Sequence, residues 1–175
     1  LIERLLSEGH KVIAVDNFST GSKANITPML NHPRFSFLEL GIETLECRRA
    51  LLEWPYKIDQ IYNLACPTGV PNCRTMAEEM VDACSMGVKN MLLVAHRHGA
   101  QFLITSSSEI SGNPEMFPQT EEYTGNVHPM SERSPYEEGK RFAETMTMMF
   151  FRKYGVDAKI ARLFNVYGPG MSLSD

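Results

Sequence analysis

An α/β fold built on a doubly wound parallel sheet is predicted by two observations. Short apolar runs at residues 11–15, 35–40, 60–65, 101–104 and 158–164 alternate along the chain with segments whose apolar residues recur at helical spacing. The first run follows a helix end that carries Leu1, Ile2, Leu5 and Leu6 on one face, is separated from it by Gly9, and closes on Asp16. Helix, glycine, strand and terminal acid in that order make the second half of a dinucleotide-binding βαβ unit. There the acid receives the adenosine ribose hydroxyls and repels a 2′-phosphate, which favours NAD over NADP; an aspartate at a strand end also serves as a turn residue.

The remaining elements follow in order. Residues 1–8 read as a helix stopped by Gly9, and residues 17–23 as a polar loop followed by a short segment to Leu30. The strand at 35–40 alternates, and 43–52 is an amphipathic helix ending near Trp54 and Pro55. A strand at 60–65 leads to a long helix over about 75–98, and the strand from Gln101 delivers Ser107 and Glu109 to its carboxyl end, where ligands bind in open parallel sheets. Residues 112–135, with four prolines and much polar sequence, are too long for a simple connector and read as a cover over a site. Helix 135–154 ends at Gly155, the last strand runs to Phe164 and places Asn165 over the same site, and Gly168, Pro169 and Gly170 open a loop.

The totals narrow the function classes. With 43% apolar and 22% charged residues in 175, the chain has the composition of an ordinary globular domain. A formal charge of −4 argues against a nucleic-acid partner, and no apolar run approaches a membrane span, so none is expected. The start lacks the basic region and cleavage site of a secretory signal. Cys47, Cys66, Cys73 and Cys84 show no metal-ligand rhythm; no metal is expected, and reduced thiols in a cytoplasmic protein are.

The chemistry is carried by Tyr136 and Lys140. Four residues apart on a helix, they differ in direction by about 40° and emerge on one face. A free phenol, with a pKa near 10, is about one part in a thousand ionised at neutral pH; an adjacent ammonium favours the phenolate and makes the tyrosine a usable base. A hydroxyl such as Ser107, delivered from a neighbouring strand, can bind the same substrate oxygen.

Taken with these, the stretches Asp16-Asn17-Phe18-Ser19-Thr20-Gly21, Ile61-Tyr62-Asn63-Leu64-Ala65-Cys66-Pro67, Gly125-Asn126-Val127-His128-Pro129, Tyr136 to Arg141 and Ala161-Arg162-Leu163-Phe164-Asn165 carry a resemblance over nearly the whole chain. The sequence resembles the extended short-chain dehydrogenase/reductase family, the NAD-dependent sugar-nucleotide epimerases, dehydratases and decarboxylases, and within it the UDP-glucuronate decarboxylases. The resemblance implies a Rossmann-like domain over 1–175 that is truncated at both ends, with a first strand and G-x-x-G-x-x-G turn expected ahead of Leu1 and a substrate domain beyond Asp175.

It implies NAD bound by Asp16, Asn17, Phe18, Thr20, Gly21, Leu64, Cys66, Tyr136 and Lys140. Tyr136, Lys140, Ser107 and Glu109 are then catalytic, and Asn90, Arg97 and Asn165 bind a UDP-sugar. The expected reaction is decarboxylation of UDP-glucuronate to UDP-xylose through a 4-keto sugar. A 4,6-dehydratase, a 4-epimerase or a non-catalytic binding or assembly subunit are the alternatives. In similar proteins the helices matching 75–98 and 135–154 pack across a four-helix homodimer interface. Asp82 and Ser111 depart from the family pattern, which has a lysine and a tyrosine there.

Overall fold

The apolar runs become parallel strands, and each sits in register with a partner that lies far away in sequence. The computed structural model describes residues 1–169 and residue 171; Gly170, in the loop expected after the last strand, lies outside the described residues. Helix α1 (Ile2–Ser7) turns through Gly9, whose φ of +93° suits a residue without a Cβ. It leads into β1 (Val12–Val15), which pairs with β2 (Phe35–Leu38) in the register Val12↔Phe35 to Val15↔Leu38. Two 3-10 turns, Lys23–Asn25 and Thr27–Met29, lie between them. Leu6, Met29 and Phe35 form a small core that holds α1 against this pair.

Helix α2 (Leu45–Leu52) is capped by Thr44, whose hydroxyl accepts the Cys47 N–H at 3.1 Å. Strands β3 (Gln60–Asn63), β4 (Gln101–Ser107) and β5 (Ala158–Leu163) form a second parallel sheet in the order β3-β4-β5. Its register aligns Asn63 with Ile104, and Ser107 with Leu163.

The expected single sheet is therefore present as two parallel sheets. β2-β1 and β3-β4-β5 match positions 3-2 and 4-5-6 of the doubly wound order 3-2-1-4-5-6. One main core still serves both sheets. Phe102, Ile104, Leu92, Val94, Ala143 and Phe150 are buried together, with Ile13, Val15 and Leu38 packed on them from the first sheet.

The helix expected over 75–98 is broken twice. α3 (Asn72–Thr75) ends at Met76, whose φ of −134° and ψ of 33° leave the helical region, and α4 (Ala77–Asp82) then continues into a π turn, Ala83–Gly87. α5 (Val88–His98) completes the run and stops at Gly99 in the left-handed region. The π turn sets Gly87 on Ile42, where an added Cβ would come within 2.7 Å of the isoleucine Cδ1.

Strand β4 runs three residues beyond the expected 101–104 and passes into a 3-10 turn, Ser108–Ser111. The cover expected over 112–135 has no named helix or strand before α6 (Ser134–Tyr154), which ends at Gly155 with φ of +68°. It is pinned where Gly112 bridges Asn126, and a Cβ at Gly112 would stand 2.2 Å from the Asn126 carbonyl oxygen.

Candidate active site

β4 ends in buried Ser106 and Ser107, and α6 starts its first turn beside them. Pro135 occupies the start of α6, where its missing N–H removes no helical hydrogen bond. Tyr136 follows in that first turn, with Lys140 one turn on, so both leave the helix toward β4. Lys140 is 5% exposed, and its Nζ donates to the Thr105 carbonyl at 2.9 Å while lying 5.7 Å from the centroid of the Tyr136 ring. A buried ammonium needs such partners, because desolvation without them costs several kcal/mol, of order the full charge-burial penalty.

Tyr136 is half-buried, and this burial pushes its phenol above the ordinary value, while the Lys140 charge and a hydrogen-bonding interaction with Ser107 pull it down. The expected downward shift is thus present as the contribution of Lys140 but outweighed by burial. The Ser107 hydroxyl also accepts the Glu109 N–H at 3.2 Å, which fixes the 3-10 turn that follows β4. Phenol, ammonium and hydroxyl share one corner at the carboxyl end of β4.

Glu109 is not free in this corner. Its carboxylate is paired with Arg133, the residue just before α6, whose Nε also stands 3.9 Å from Glu137. Glu137 is buried, and burial together with the nearby Glu109 raises its pKa, against the pull of Arg133 and of a Ser131 hydroxyl that donates at 3.4 Å. Neither Arg133 nor Glu137 is among the residues expected from sequence. The spacing of Arg133 and Glu137, one helical turn, was the only local signal for them.

The cofactor-side residues gather at the carboxyl ends of β1 and β3. The Asp16 carboxylate accepts the Phe18 N–H at 2.7 Å, and Asn17 accepts the Ser19 N–H at 3.0 Å, so both side chains hold the turn they begin. Phe18 has a φ of +55° and stacks on Phe37 at 5.2 Å. Gly21 lies against Asp16: an added Cβ would sit 3.6 Å from each carboxylate oxygen. Asp16 and Thr20 stay exposed, which leaves an acid cradled by a glycine and open on its outer side. That arrangement fits the ribose of a dinucleotide.

Beyond β3, Leu64 is half exposed and Cys66 half-buried. The Cys66 Sγ is 3.6 Å from the Sγ of buried Cys84, in the π turn. The hydrogen bond from Cys84 lowers the pKa of the Cys66 thiol, aided by Lys140 and opposed by burial, while Cys84 is pushed up.

Of the three residues expected to bind substrate, Asn165 is exposed just beyond the carboxyl end of β5, the end of the sheet at which Ser107 also lies. The other two are placed elsewhere. Asn90 is buried, and its amide donates to the carbonyls of Ile42, Glu43 and Thr44 at 2.9, 3.0 and 3.4 Å, which ties α5 to the start of α2. Arg97 is exposed in the last turn of α5, next to the amino end of β4. The seven residues of β4 put roughly 20 Å between that end and Ser107. A polar residue on a helix reads the same in sequence whether it meets a ligand, a carbonyl or water.

An open cavity of about 410 Å³ follows the α6 face of Arg141, Glu144, Met148 and Arg152, but neither Tyr136 nor Lys140 lines it. Arg162 and Glu144 pair there through two contacts of 2.9 Å, and the chemistry is better located at the Tyr136 corner, where buried titratable groups meet. Among the described residues no cluster of three or more His, Cys, Asp or Glu could hold a metal, and no helix is long and apolar enough to cross a membrane.

Parallel strands with an acid after β1, and a serine, tyrosine and lysine meeting after β4, have the layout of a Rossmann-like nucleotide-binding domain. The chain belongs to the NAD dependent epimerase/dehydratase family, which it matches over residues 1–174. Among curated proteins it is similar to UDP-glucuronic acid decarboxylase 1 of Arabidopsis thaliana, 44% identical over all of this chain and 38% of that protein. It is also similar to UDP-glucuronic acid decarboxylase 1 of Xenopus tropicalis, 39% identical over all of this chain and 40% of that protein. The chain thus spans about two-fifths of the length of these relatives.

Solved structures share the fold. A UDP-glucose 4-epimerase from Thermotoga maritima superposes with a TM-score of 0.84 at 24% identity, over 98% of this chain and 53% of that one. A dTDP-glucose 4,6-dehydratase from Streptomyces venezuelae, solved with NAD bound, gives 0.83 at 24%, over 97% and 52%.

Proposed function

We propose that the protein carrying this chain is an NAD-dependent decarboxylase that converts UDP-glucuronate to UDP-xylose through a 4-keto sugar, with residues 1–175 forming most of its NAD-binding domain. The observation that carries this reading is the meeting of Ser107, Tyr136 and Lys140 at the end of β4 with Glu109 held beside them by Arg133. Similarity to the decarboxylases along the entire chain supports the choice of substrate.

Asp16 and the loop through Gly21 would hold the adenosine ribose of NAD, with Leu64, Cys66, Tyr136 and Lys140 as its further contacts. When bound, NAD would supply the reversible acceptor for the C4 hydride that leaves as the ketone forms and returns as it is reduced. Lys140 draws the phenol toward its ionised form, against a burial that holds its pKa above the ordinary value in the protein alone. Tyr136 takes the proton of the sugar C4 hydroxyl, and Ser107 holds that oxygen by hydrogen bond. The C4 ketone lies β to the C6 carboxylate, so the C5–C6 bond breaks with its electron pair drawn toward the ketone and carbon dioxide leaves. Glu109, oriented by Arg133, faces C5 and assists its reprotonation. Tyr136 returns its proton to O4 as the ketone is reduced.

A 4,6-dehydratase or 4-epimerase would use the same tyrosine and lysine. A non-catalytic assembly subunit is favoured by Asp82 and Ser111, which take the places of a lysine and a tyrosine. Asn165 remains a candidate substrate contact, since it stands exposed at the carboxyl end of the sheet, the end that carries the site.

The working assembly is a homodimer through α4, α5 and α6. The exposed Val81, Met86, Phe142 and Met149, and a small apolar hollow of about 190 Å³ between Val81, Pro135 and Phe142, support it. Four free thiols support a reducing, cytoplasmic setting, and the acidic balance favours neither nucleic acid nor membrane.

Full-length protein incubated with NAD and UDP-glucuronate is expected to release carbon dioxide and form UDP-xylose, with Tyr136→Phe lowering the rate by about 10²–10⁴-fold. An unchanged rate in that variant would refute the assigned base, and no turnover of any UDP-sugar would favour the assembly subunit.

A further inference from the structure

Two thiols face each other directly behind the site. Cys66, in the loop after β3, is half-buried, and Cys84 is 2% exposed in the π turn between α4 and α5. Their sulfurs are 3.6 Å apart, against about 2.05 Å in a disulfide, so one must advance by about 1.5 Å for a bond to form. The loop that carries Cys66 and the widened helical turn that carries Cys84 are the segments best able to yield that distance.

From this geometry we infer that Cys66 and Cys84 form a peroxide-reactive dithiol, open in the reduced protein, that closes to a disulfide against the Tyr136–Lys140 turn of α6.

The chemistry needs an oxidant of the hydroperoxide class. The Cys66 thiolate attacks one peroxide oxygen, the O–O bond breaks, and water leaves a sulfenic acid on Cys66. The Cys84 sulfur then attacks the Cys66 sulfur, and a second water departs as the S–S bond forms. Two thiols are oxidised by two electrons, and one hydrogen peroxide becomes two waters.

The division of labour follows from the surroundings. Cys66 is the less buried of the two and is favoured as thiolate by the Cys84 hydrogen bond and the Lys140 charge, while Cys84 is buried with its pKa raised and its sulfur facing that of Cys66. Cys47 is buried with its pKa raised to about 11, which leaves it inert in the same experiment.

Closure would be felt at the site because Cys84 touches α6. A Cβ added to Gly139 would lie 3.1 Å from the Cys84 Cβ and 3.3 Å from its sulfur, so the helix at Lys140 rests on this cysteine. Displacing the sulfur toward Cys66 removes part of that seat. The effect on turnover rests on the decarboxylase reading above; disulfide formation does not.

The test is made on reduced full-length protein exposed to hydrogen peroxide, then alkylated and digested without reductant. The expected result is one dithiothreitol-reversible peptide pair joining Cys66 to Cys84, two mass units below the sum of its thiol forms. It should be absent from both Cys66→Ser and Cys84→Ser. Recovery of both cysteines in alkylated form after peroxide, or a bond from Cys66 to Cys73 instead, would overturn the inference. Where UDP-glucuronate is turned over, closure should lower the rate at least about tenfold and dithiothreitol restore it; a linked peptide at full rate would overturn the effect on the site. Failure of every UDP-sugar as substrate would sink the decarboxylase reading while the peptide still decides the thiol pair.

Discussion

Lys140 reaches from α6 to the backbone of β4 and donates to the Thr105 carbonyl at 2.9 Å, two residues before Ser107. One contact thereby joins the helix that carries the phenol to the strand that carries the hydroxyl. It places the ammonium where its charge opposes the burial of Tyr136.

Removal of that charge should move the pH dependence in a definite direction. A base works only when deprotonated, so kcat/KM climbs with pH through the Tyr136 pKa. Burial holds that pKa above the ordinary value and Lys140 draws it down, so Lys140→Met should shift the rising limb to higher pH and lower the rate at pH 7 by about 10²-fold. A limb left in place would show that Lys140 does not tune the phenol.

Ser107→Ala should separate chemistry from stability. The Glu109 N–H loses its acceptor, at a cost of about 1 kcal/mol in denaturant unfolding, while turnover falls by about 10–10²-fold. Turnover within twofold of the parent would remove the hydroxyl from the mechanism.

Glu137 should make stability depend on pH with the sign opposite to an ordinary ion-paired carboxylate. Its folded pKa is raised, so its favourable contribution is complete below the unfolded value and is lost as pH rises through the folded one. Glu137→Gln is expected to match the parent near pH 4 and to unfold about 1–3 °C higher at pH 7. A lower Tm at pH 7 would mean that the contact with Arg133 outweighs the burial of the charge.

Asn90→Ala should destabilise the protein by about 2–3 kcal/mol, because three carbonyls lose one buried donor, and should leave the KM for UDP-glucuronate within about twofold. A large rise in KM at unchanged stability would return Asn90 to the substrate.

Phe142→Asp places a charge on the exposed apolar face of α6 and should convert a dimer to a monomer by light scattering. A dimer that persists would move the interface away from α6.

Strand positions were legible because each apolar run is bounded by polar or glycine residues, as at Gly9 and Asp16. The Tyr136–Lys140 pairing was legible because helical spacing is local. What sequence hid is long-range or non-periodic. The π turn at Ala83–Gly87 keeps the apolar rhythm of its flanking helices and depends on a contact with Ile42. Arg133 meets Glu109 across 24 residues of loop, and Asn90 meets its carbonyls across more than 40. The net pKa of Tyr136 was out of reach for the same reason, since its sign is set by how deeply the fold encloses the ring.

The close seating of Gly139 on Cys84 also carries a historical constraint. The two positions are coupled: a side chain at 139 requires the residue at 84 to give way by a few tenths of an ångström, and a bulkier 84 leaves less room for that. Substitutions on the two segments are thereby favoured in one order over the other, and a lineage that keeps sulfur at 84 gains by keeping its neighbouring glycine.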